Sequence, residues 1–243
     1  MKQLLEEAID FPANPFVVLA DFLIVLLIIL ILSVLQQSMA SSGMTKRMAV
    51  ASLQEQLKQE CMQPPPEAQS LRKAYGKEFW QYWVDGDLQR FRFRGDVCFN
   101  GRAVSTIPIN SRGWQIFTFF GRLLKSRQGD TKHPGHGLYK RVIVEGHVDV
   151  SEADDEHAMS VSLARAQSVV QILRGAGVNP ALLEASGRGG WDPASLPSKE
   201  KTPHQAHLDN RRIDIVIVYS GENALTYLNS EREAHSSQRG ATR

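Results

Sequence analysis

From Phe16 to Leu35 the chain reads FVVLADFLIVLLIILILSVL, and no other stretch narrows its possible folds so much. About twenty consecutive apolar residues match the length a helix needs to cross a bilayer core. A water-facing helix cannot carry such residues around its whole circumference. Asn14-Pro15 in front supplies an N-cap and a proline suited to the first helical position. A removable signal peptide competes, since Ser38-Met39-Ala40 resembles a cleavage site. The acidic leader (Glu6, Glu7, Asp10) and the length of the run favour a retained anchor, and no cysteine follows that could carry a lipid. Lys2 precedes the run while Lys46 and Arg47 follow it, so the positive-inside rule alone favours a cytoplasmic C-terminus.

Asp21 breaks the run. A carboxylate inside a spanning helix costs at least a few kcal/mol unless it faces protein or water. Two readings stand. Asp21 lies near the helix start, so it can reach the headgroups, where the positive end of the helix dipole favours it. Alternatively it is a protonatable site facing a partner subunit, because protonation there switches a charge that the low dielectric makes expensive.

The remainder is a polar chain. With 243 residues and a formal charge of +2, it has room for one globular domain plus extensions, and nucleic acid is not expected as a partner. Two cysteines, Cys61 and Cys98, do not make a disulfide scaffold. They could pair in an oxidising compartment or remain two buried thiols.

Residues 41–63 carry Met48, Leu53, Leu57 and Cys61 at roughly helical spacing, which suggests an outward amphipathic helix able to pair with a copy of itself. Pro64-Pro65-Pro66 ends it. Asp85-Gly86 between aromatic-rich runs signals a hairpin. Phe91, Phe93, Val97 and Phe99 lie on one alternating face, and Arg90, Arg92 and Arg94 form a solvated opposite face. A helix around Trp114 buries its aromatics. Strand Leu138–Glu145, helix Glu156–Gly175, short strand Leu182–Ser186, a loop from Arg188 to Pro203 and strand Arg211–Tyr219 follow. The last strand reads as buried on both faces. This rhythm predicts an α+β domain, βαβαββ, with a mixed sheet and helices on one face. The divisions expected are a short N-terminal segment 1–15, a transmembrane helix 16–38, a helical and Pro-rich linker 39–76, the domain 77–220, and a partly disordered tail 221–243.

Four stretches in order carry a resemblance. Val144-Glu145-Gly146-His147-Val148-Asp149, Val161-Ser162-Leu163-Ala164-Arg165-Ala166, Glu184-Ala185-Ser186-Gly187-Arg188-Gly189 and Asn210-Arg211-Arg212-Ile213-Asp214-Ile215 resemble the GHTD, LSxxRA, AxGxG and NRRVEI patterns of the OmpA-type (OmpA/MotB C-terminal) peptidoglycan-binding family. The resemblance implies an OmpA-like domain that grips the cell wall. A stem peptide's diamino acid ends in an ammonium and a carboxylate, so it wants one carboxylate and one guanidinium close together. The resemblance assigns those roles to Asp149 and Arg165, with Asn210, Arg211 and His147 at the same rim. Val148 replaces the pattern's threonine, and Ala158 a usual asparagine. A plain salt bridge between Asp149 and Arg165 is the competing reading. No metal is expected, because the spacings of His147, His157, His204 and His207 match no standard site. No catalytic motif or cofactor signature appears, so the chain does not read as an enzyme.

The spanning helix with its aspartate, the linker and the wall domain together resemble MotB-type stator subunits. Ile24 where a threonine is usual, and the lack of a basic N-terminal tail, turn the resemblance toward the ZorB branch of Zorya anti-phage systems. It implies an inner-membrane protein with a cytoplasmic N-terminus, a periplasmic domain, and Asp21 as ion-relay site of a proton channel. The implied partners are a MotA/ZorA-like multi-span subunit, a second copy in a homodimer, and peptidoglycan. A flagellar stator, or a passive tether between membrane and wall, are the alternatives.

Overall fold

The computed structural model describes residues 15–62, 80–99, 106–128, 137–149, 155–194 and 202–240. The Pro64–Pro66 linker and the start of the N-terminal segment lie outside them. The chain divides into two compact units, Met1–Thr45 and Lys46–Arg243.

In the first unit, helix α1 (Pro15–Met62) begins. From Phe22 to Leu35 every large apolar side chain is exposed, and an 18-residue window of the helix reaches a mean hydropathy of 2.5. It is the one helix among the described residues long and apolar enough to cross a membrane. Asp21 belongs to it by its backbone.

The second unit is built on a five-stranded sheet in the order β1-β2-β5-β3-β4. Strands β1 (Trp80–Asp85) and β2 (Leu88–Arg94) form the expected hairpin. Gly86 sits at φ 57 in its two-residue turn, a conformation that costs glycine nothing. A four-residue helix α2 (Gly95–Cys98) then ends the alternation of β2. Helix α3 (Arg112–Arg127) is capped by the Ser111 side chain, which accepts from the Trp114 amide. Strand β3 (Tyr139–His147), helix α4 (Asp155–Gly175), a 3-10 turn (Pro180–Leu182) and β4 (Leu183–Gly187) make a parallel crossover unit. Helix α5 (Pro203–Asn210) leads into β5 (Arg212–Tyr219), which is antiparallel to both β2 and β3. The α+β class and mixed sheet expected from the sequence are those observed.

One sheet face, formed by Phe91, Phe93, Val142, Val144, Ile213, Ile215 and Ile217, meets Phe117, Phe120 and Leu124 of α3 and Ala166, Val169 and Leu173 of α4 in a single core. Phe91 meets Phe120 edge-on at 4.9 Å, and Phe93 meets Phe117 at 5.2 Å, the arrangement that ring quadrupoles favour. Gly146 marks the closest approach of β3 to α4. A Cβ there would come within 1.9 Å of the Ser162 carbonyl oxygen.

Four sequence readings are changed or decided by the structure. The stripe read as a pairing face on residues 41–63 is buried within its own chain: Ala49, Val50, Leu53 and Leu57 join the core, while Met48 is exposed. Polar clasps reinforce that seat. Gln54 Nε2 donates to the Gly86 and Leu88 carbonyls, Gln89 donates back to the Gln54 carbonyl, and Arg127 pairs with Glu60. Second, of the two readings open for Cys61 and Cys98, the structure has the free thiols. They are held on different elements, and burial pushes both thiols up, leaving them protonated and unreactive. Third, helix α6 (Gly221–Gly240) occupies most of the stretch read as a partly disordered tail. Its Ala224 is buried, and Asn223 Nδ2 donates to the Gly137 carbonyl at 2.7 Å. Fourth, the arginines of β2 do not form a merely solvated face.

Those arginines belong to the sheet face opposite the core. Arg92 Nε donates to Asp214 Oδ1 at 3.0 Å, and Arg90 bridges Glu145 Oε2 at 2.5 Å and Asp214 Oδ2 at 3.2 Å. Arg188 also pairs with Glu145, and Arg212 Nε donates to Asp214 Oδ2 at 3.2 Å. Trp83 of β1 lies under the Arg92 guanidinium, 4.6 Å from ring centroid to Cζ. Asp214 is fully buried, so this network stitches β2, β3 and β5 to the segment after β4.

Candidate functional site

The crowding at Gly146 brings the end of β3 against the first half of α4, with the Ala166 amide nitrogen 3.3 Å from where a Cβ would stand. Two of the expected site residues flank this junction. Asp149 lies just past β3, Arg165 lies next to Ala166 on α4, and both are buried. The Arg165 guanidinium stacks 5.2 Å from the Phe99 ring. A guanidinium seated on an aromatic face keeps its charge while shedding water on one side.

Helix α5 supplies the next pieces. Its eight residues show no apolar periodicity, so only Pro203 at its first position marks it in the sequence. The helix carries His207 and Asn210 to the Asp149 carboxylate. His207 Nδ1 stands 2.7 Å from Oδ1, and Asn210 Nδ2 donates to Oδ2 at 3.1 Å. Both carboxylate oxygens are therefore held in a fixed orientation. His207 is half-buried and sits on the solvent side of that pair, and the sequence reading gave it no place in the wall-binding set. Its spacing of three residues before Asn210 is a signal only once a helix is known there.

Arg211 follows directly and is half-buried. Its carbonyl accepts from the Gly95 amide at 2.6 Å, and a Cβ on Gly95 would lie 2.6 Å from that oxygen. Asp149, Arg165, Asn210 and Arg211 thus come from the segment just past β3, from α4, from the end of α5 and from the residue before β5.

His147 takes another position. It is buried beside Asp214, with Nε2 3.7 Å from Oδ2, and among the described residues neither ring nitrogen has a hydrogen-bond partner. Burial, with Arg212 nearby, drops its pKa to about 3, so the ring is neutral. Burial pushes the Asp214 carboxyl up, but hydrogen bonding from Arg92 and the charge of Arg212 outweigh it and hold the group below the usual range. Ligand atoms of Glu145, His147 and Asp214 lie within 4.8 Å of one another, close enough to surround a cation. The guanidiniums of Arg90, Arg92, Arg188 and Arg212 already neutralise these carboxylates. A divalent cation would enter against four positive charges, so the trio is the acidic centre of an ion network.

These features define an α+β domain with a buried, oriented carboxylate at the end of a central strand and a buried guanidinium on the neighbouring helix. No family model matches the chain, and no curated protein matches it either. Among solved structures, the cell wall anchor of the T6SS from Pseudomonas aeruginosa is 21% identical, covering 64% of this chain and 99% of that one at a TM-score of 0.47. The periplasmic domain of Helicobacter pylori MotB is 17% identical, covering 67% and 92% at 0.48. The peptidoglycan-associated lipoprotein from Burkholderia pseudomallei is 22% identical, covering 51% and 88% at 0.37.

Proposed function

We propose that this chain is the wall-anchored B subunit of a MotA/MotB-type proton-driven motor in the bacterial inner membrane, of the Zorya anti-phage kind. In this reading the α1 helix spans the membrane once from a cytoplasmic N-terminus. Asp21 relays protons against a MotA/ZorA-like multi-span partner, two copies act together, and the periplasmic domain grips peptidoglycan. The observation that carries the wall-binding part is the Asp149 carboxylate, clamped by His207 and Asn210 just past the strand that packs on the helix bearing the buried Arg165. A fixed carboxylate can take an ammonium and a fixed guanidinium can take a carboxylate, the two ends of a stem-peptide diamino acid. Arg211 lies on the rim of this site. His147 supports it from the ion network behind, through its position two residues before Asp149.

Co-sedimentation with purified sacculi tests the reading. Asp149→Ala and Arg165→Ala should each weaken binding of the full-length protein. Unchanged binding in both would reassign the pair to a structural bridge. A passive tether shares this site and differs only at Asp21.

A further inference from the structure

Trp191 is 70% exposed, yet the turn that carries it is firmly held. The Arg188 amide donates to the Gly146 carbonyl at 2.9 Å, and the Val148 amide to the Gly189 carbonyl at 3.1 Å. On the other side, the Gly189 amide donates to Ser162 Oγ at 3.0 Å. Gly189 adopts φ 54, and the Trp191 amide closes the turn on the Arg188 carbonyl. Arg212 then fixes the next residue, donating to the Asp192 carbonyl at 2.9 Å and to its Oδ2 at 3.1 Å. A large aromatic side chain on so tightly tied a turn, left in water, is an anchor without its partner.

The ring does not stand alone. A Cβ on Gly189 would lie 3.1 Å from both Met159 Sδ and Trp191 Cδ1, so the thioether and the indole flank the bare glycine. One turn along α4, Leu163 abuts Gly187, where a Cβ would be 2.9 Å from the Leu163 Cβ. Met159 and Leu163 are both exposed. Trp191 and Met159 meet over the bare Gly189, and Gly187 lets the turn after β4 pack close against Leu163 on α4, so the three exposed apolar side chains lie along one edge of the domain. Their rim is polar, with the Arg188 and Asp192 side chains both more than half exposed.

This edge is continuous with the Asp149 site. Gly189 is hydrogen-bonded to Val148, the neighbour of Asp149, and Arg212 donates both to Asp192 and to the Asn210 carbonyl. Asn210 in turn holds Asp149. A ligand that fills the Asp149–Arg165 site and extends past its edge would run onto Trp191. An exposed indole with apolar neighbours and charged groups at its border matches a pyranose ring, which has an apolar C–H face and a polar hydroxyl and amide edge.

We propose that Trp191, Met159 and Leu163 form a subsite for the amino-sugar backbone of the wall polymer, beside the site for its peptide. The proposal rests on the wall-binding reading and names a second chemical class of contact within it. It would give the protein a grip on the glycan strand that does not depend on the peptide.

The test uses detergent-solubilised full-length protein and two separate probes. One is a β-1,4-linked N-acetylglucosamine oligosaccharide that carries no peptide, and the other is a stem peptide ending in a diamino acid that carries no sugar. Binding is read by calorimetry and by tryptophan fluorescence. The wild type should bind both. Trp191→Ala should weaken oligosaccharide binding by about tenfold or more and leave peptide binding unchanged, while Trp191→Phe should retain most of it. Asp149→Ala should show the reverse pattern. Failure of the wild type to bind the oligosaccharide, or equal binding by Trp191→Ala, would overturn the sugar subsite. Failure to bind the peptide would overturn the Asp149 reading and leave a surviving Trp191-dependent signal to stand by itself.

Discussion

Asn210 donates its side-chain amide to Asp149 Oδ2 across 3.1 Å, and both side chains are buried. The bond joins residues 61 positions apart and ties the end of β3 to the end of α5. Removing the amide leaves the carboxylate one donor short in a site that water reaches poorly. Asn210→Ala should therefore lower stability by about 1–3 kcal/mol and weaken sacculus binding through a carboxylate that is less firmly oriented. Urea titration beside the sedimentation assay separates the two effects. Wild-type stability and binding together would show that Asp149 is held well enough without the Asn210 amide.

Asp214 is the centre of the opposite sheet face, engaged by Arg90, Arg92 and Arg212. Its charge compensates guanidiniums that are themselves largely out of water. Asp214→Ala should cost about 3–5 kcal/mol, the range for breaking a buried pair from one side. By contrast, Glu222→Ala removes the exposed pair with Lys46 and should cost less than about 1 kcal/mol. Similar losses for the two variants would mean that the network contributes no more than a surface contact.

His147 makes stability depend on pH. Its folded pKa of about 3 lies below the ordinary 6.5, with burial as the main cause. Between those values the unfolded chain holds a proton on this ring that the folded chain lacks. Stability must therefore fall as pH drops from 6.5 toward 3, by roughly 1 kcal/mol per pH unit from this group. The Asp214 carboxyl, held below its ordinary 3.8, adds a further loss that begins near that value. His147→Gln should flatten the slope of the urea midpoint between pH 6 and pH 4. An unaltered slope would assign it to other groups.

The strands were legible in the sequence from their apolar patterns: Phe91 and Phe93 of β2 fall on the core face as read, and β5 is buried on both faces as read. Asp85-Gly86 gave the hairpin because one local conformation decides it. What was hidden depends on neighbours distant in the chain. Arg92 and Asp214 are 122 residues apart, so β2 alone reads as a polar face until β5 lies beside it. His207 was hidden because α5 is short and polar, and neither of its faces reads as apolar. Trp191 looked like a loop residue, since its seat depends on hydrogen bonds from Gly146, Val148, Ser162 and Arg212. Asp149 and Arg165 were singled out through the resemblance, and the structure adds that both are buried.

Leu53 and Leu57 decide whether the C-terminal part of α1 belongs to the folded unit or serves as a spacer. Both are fully buried in the core. Leu57→Ala should cost about 2–5 kcal/mol through lost burial and the cavity it leaves. Met48→Ala, at an exposed position of the same helix, should change stability by no more than about 0.5 kcal/mol. A spacer would show equally small effects at both positions.

Asp21 carries the one proposed role that the folded domain cannot supply. It is the sole ionisable residue from Phe16 to Leu35, so no second acid in that run could replace it. Asp21→Asn keeps the side chain's size and removes its proton exchange. If protons pass through this residue, the variant should insert in the membrane and bind sacculi like wild type while losing proton-driven activity. On the proposed reading, that activity is measured as phage protection when the chain is expressed with the proposed multi-span partner. Asp21→Glu should restore part of it, because the carboxyl group returns on a longer stem. A passive tether predicts that Asp21→Asn protects fully, since anchoring requires only an apolar helix and an intact wall site. Loss of insertion in Asp21→Asn is not expected on either view, because the amide is easier to place in hydrocarbon than the carboxylate it replaces.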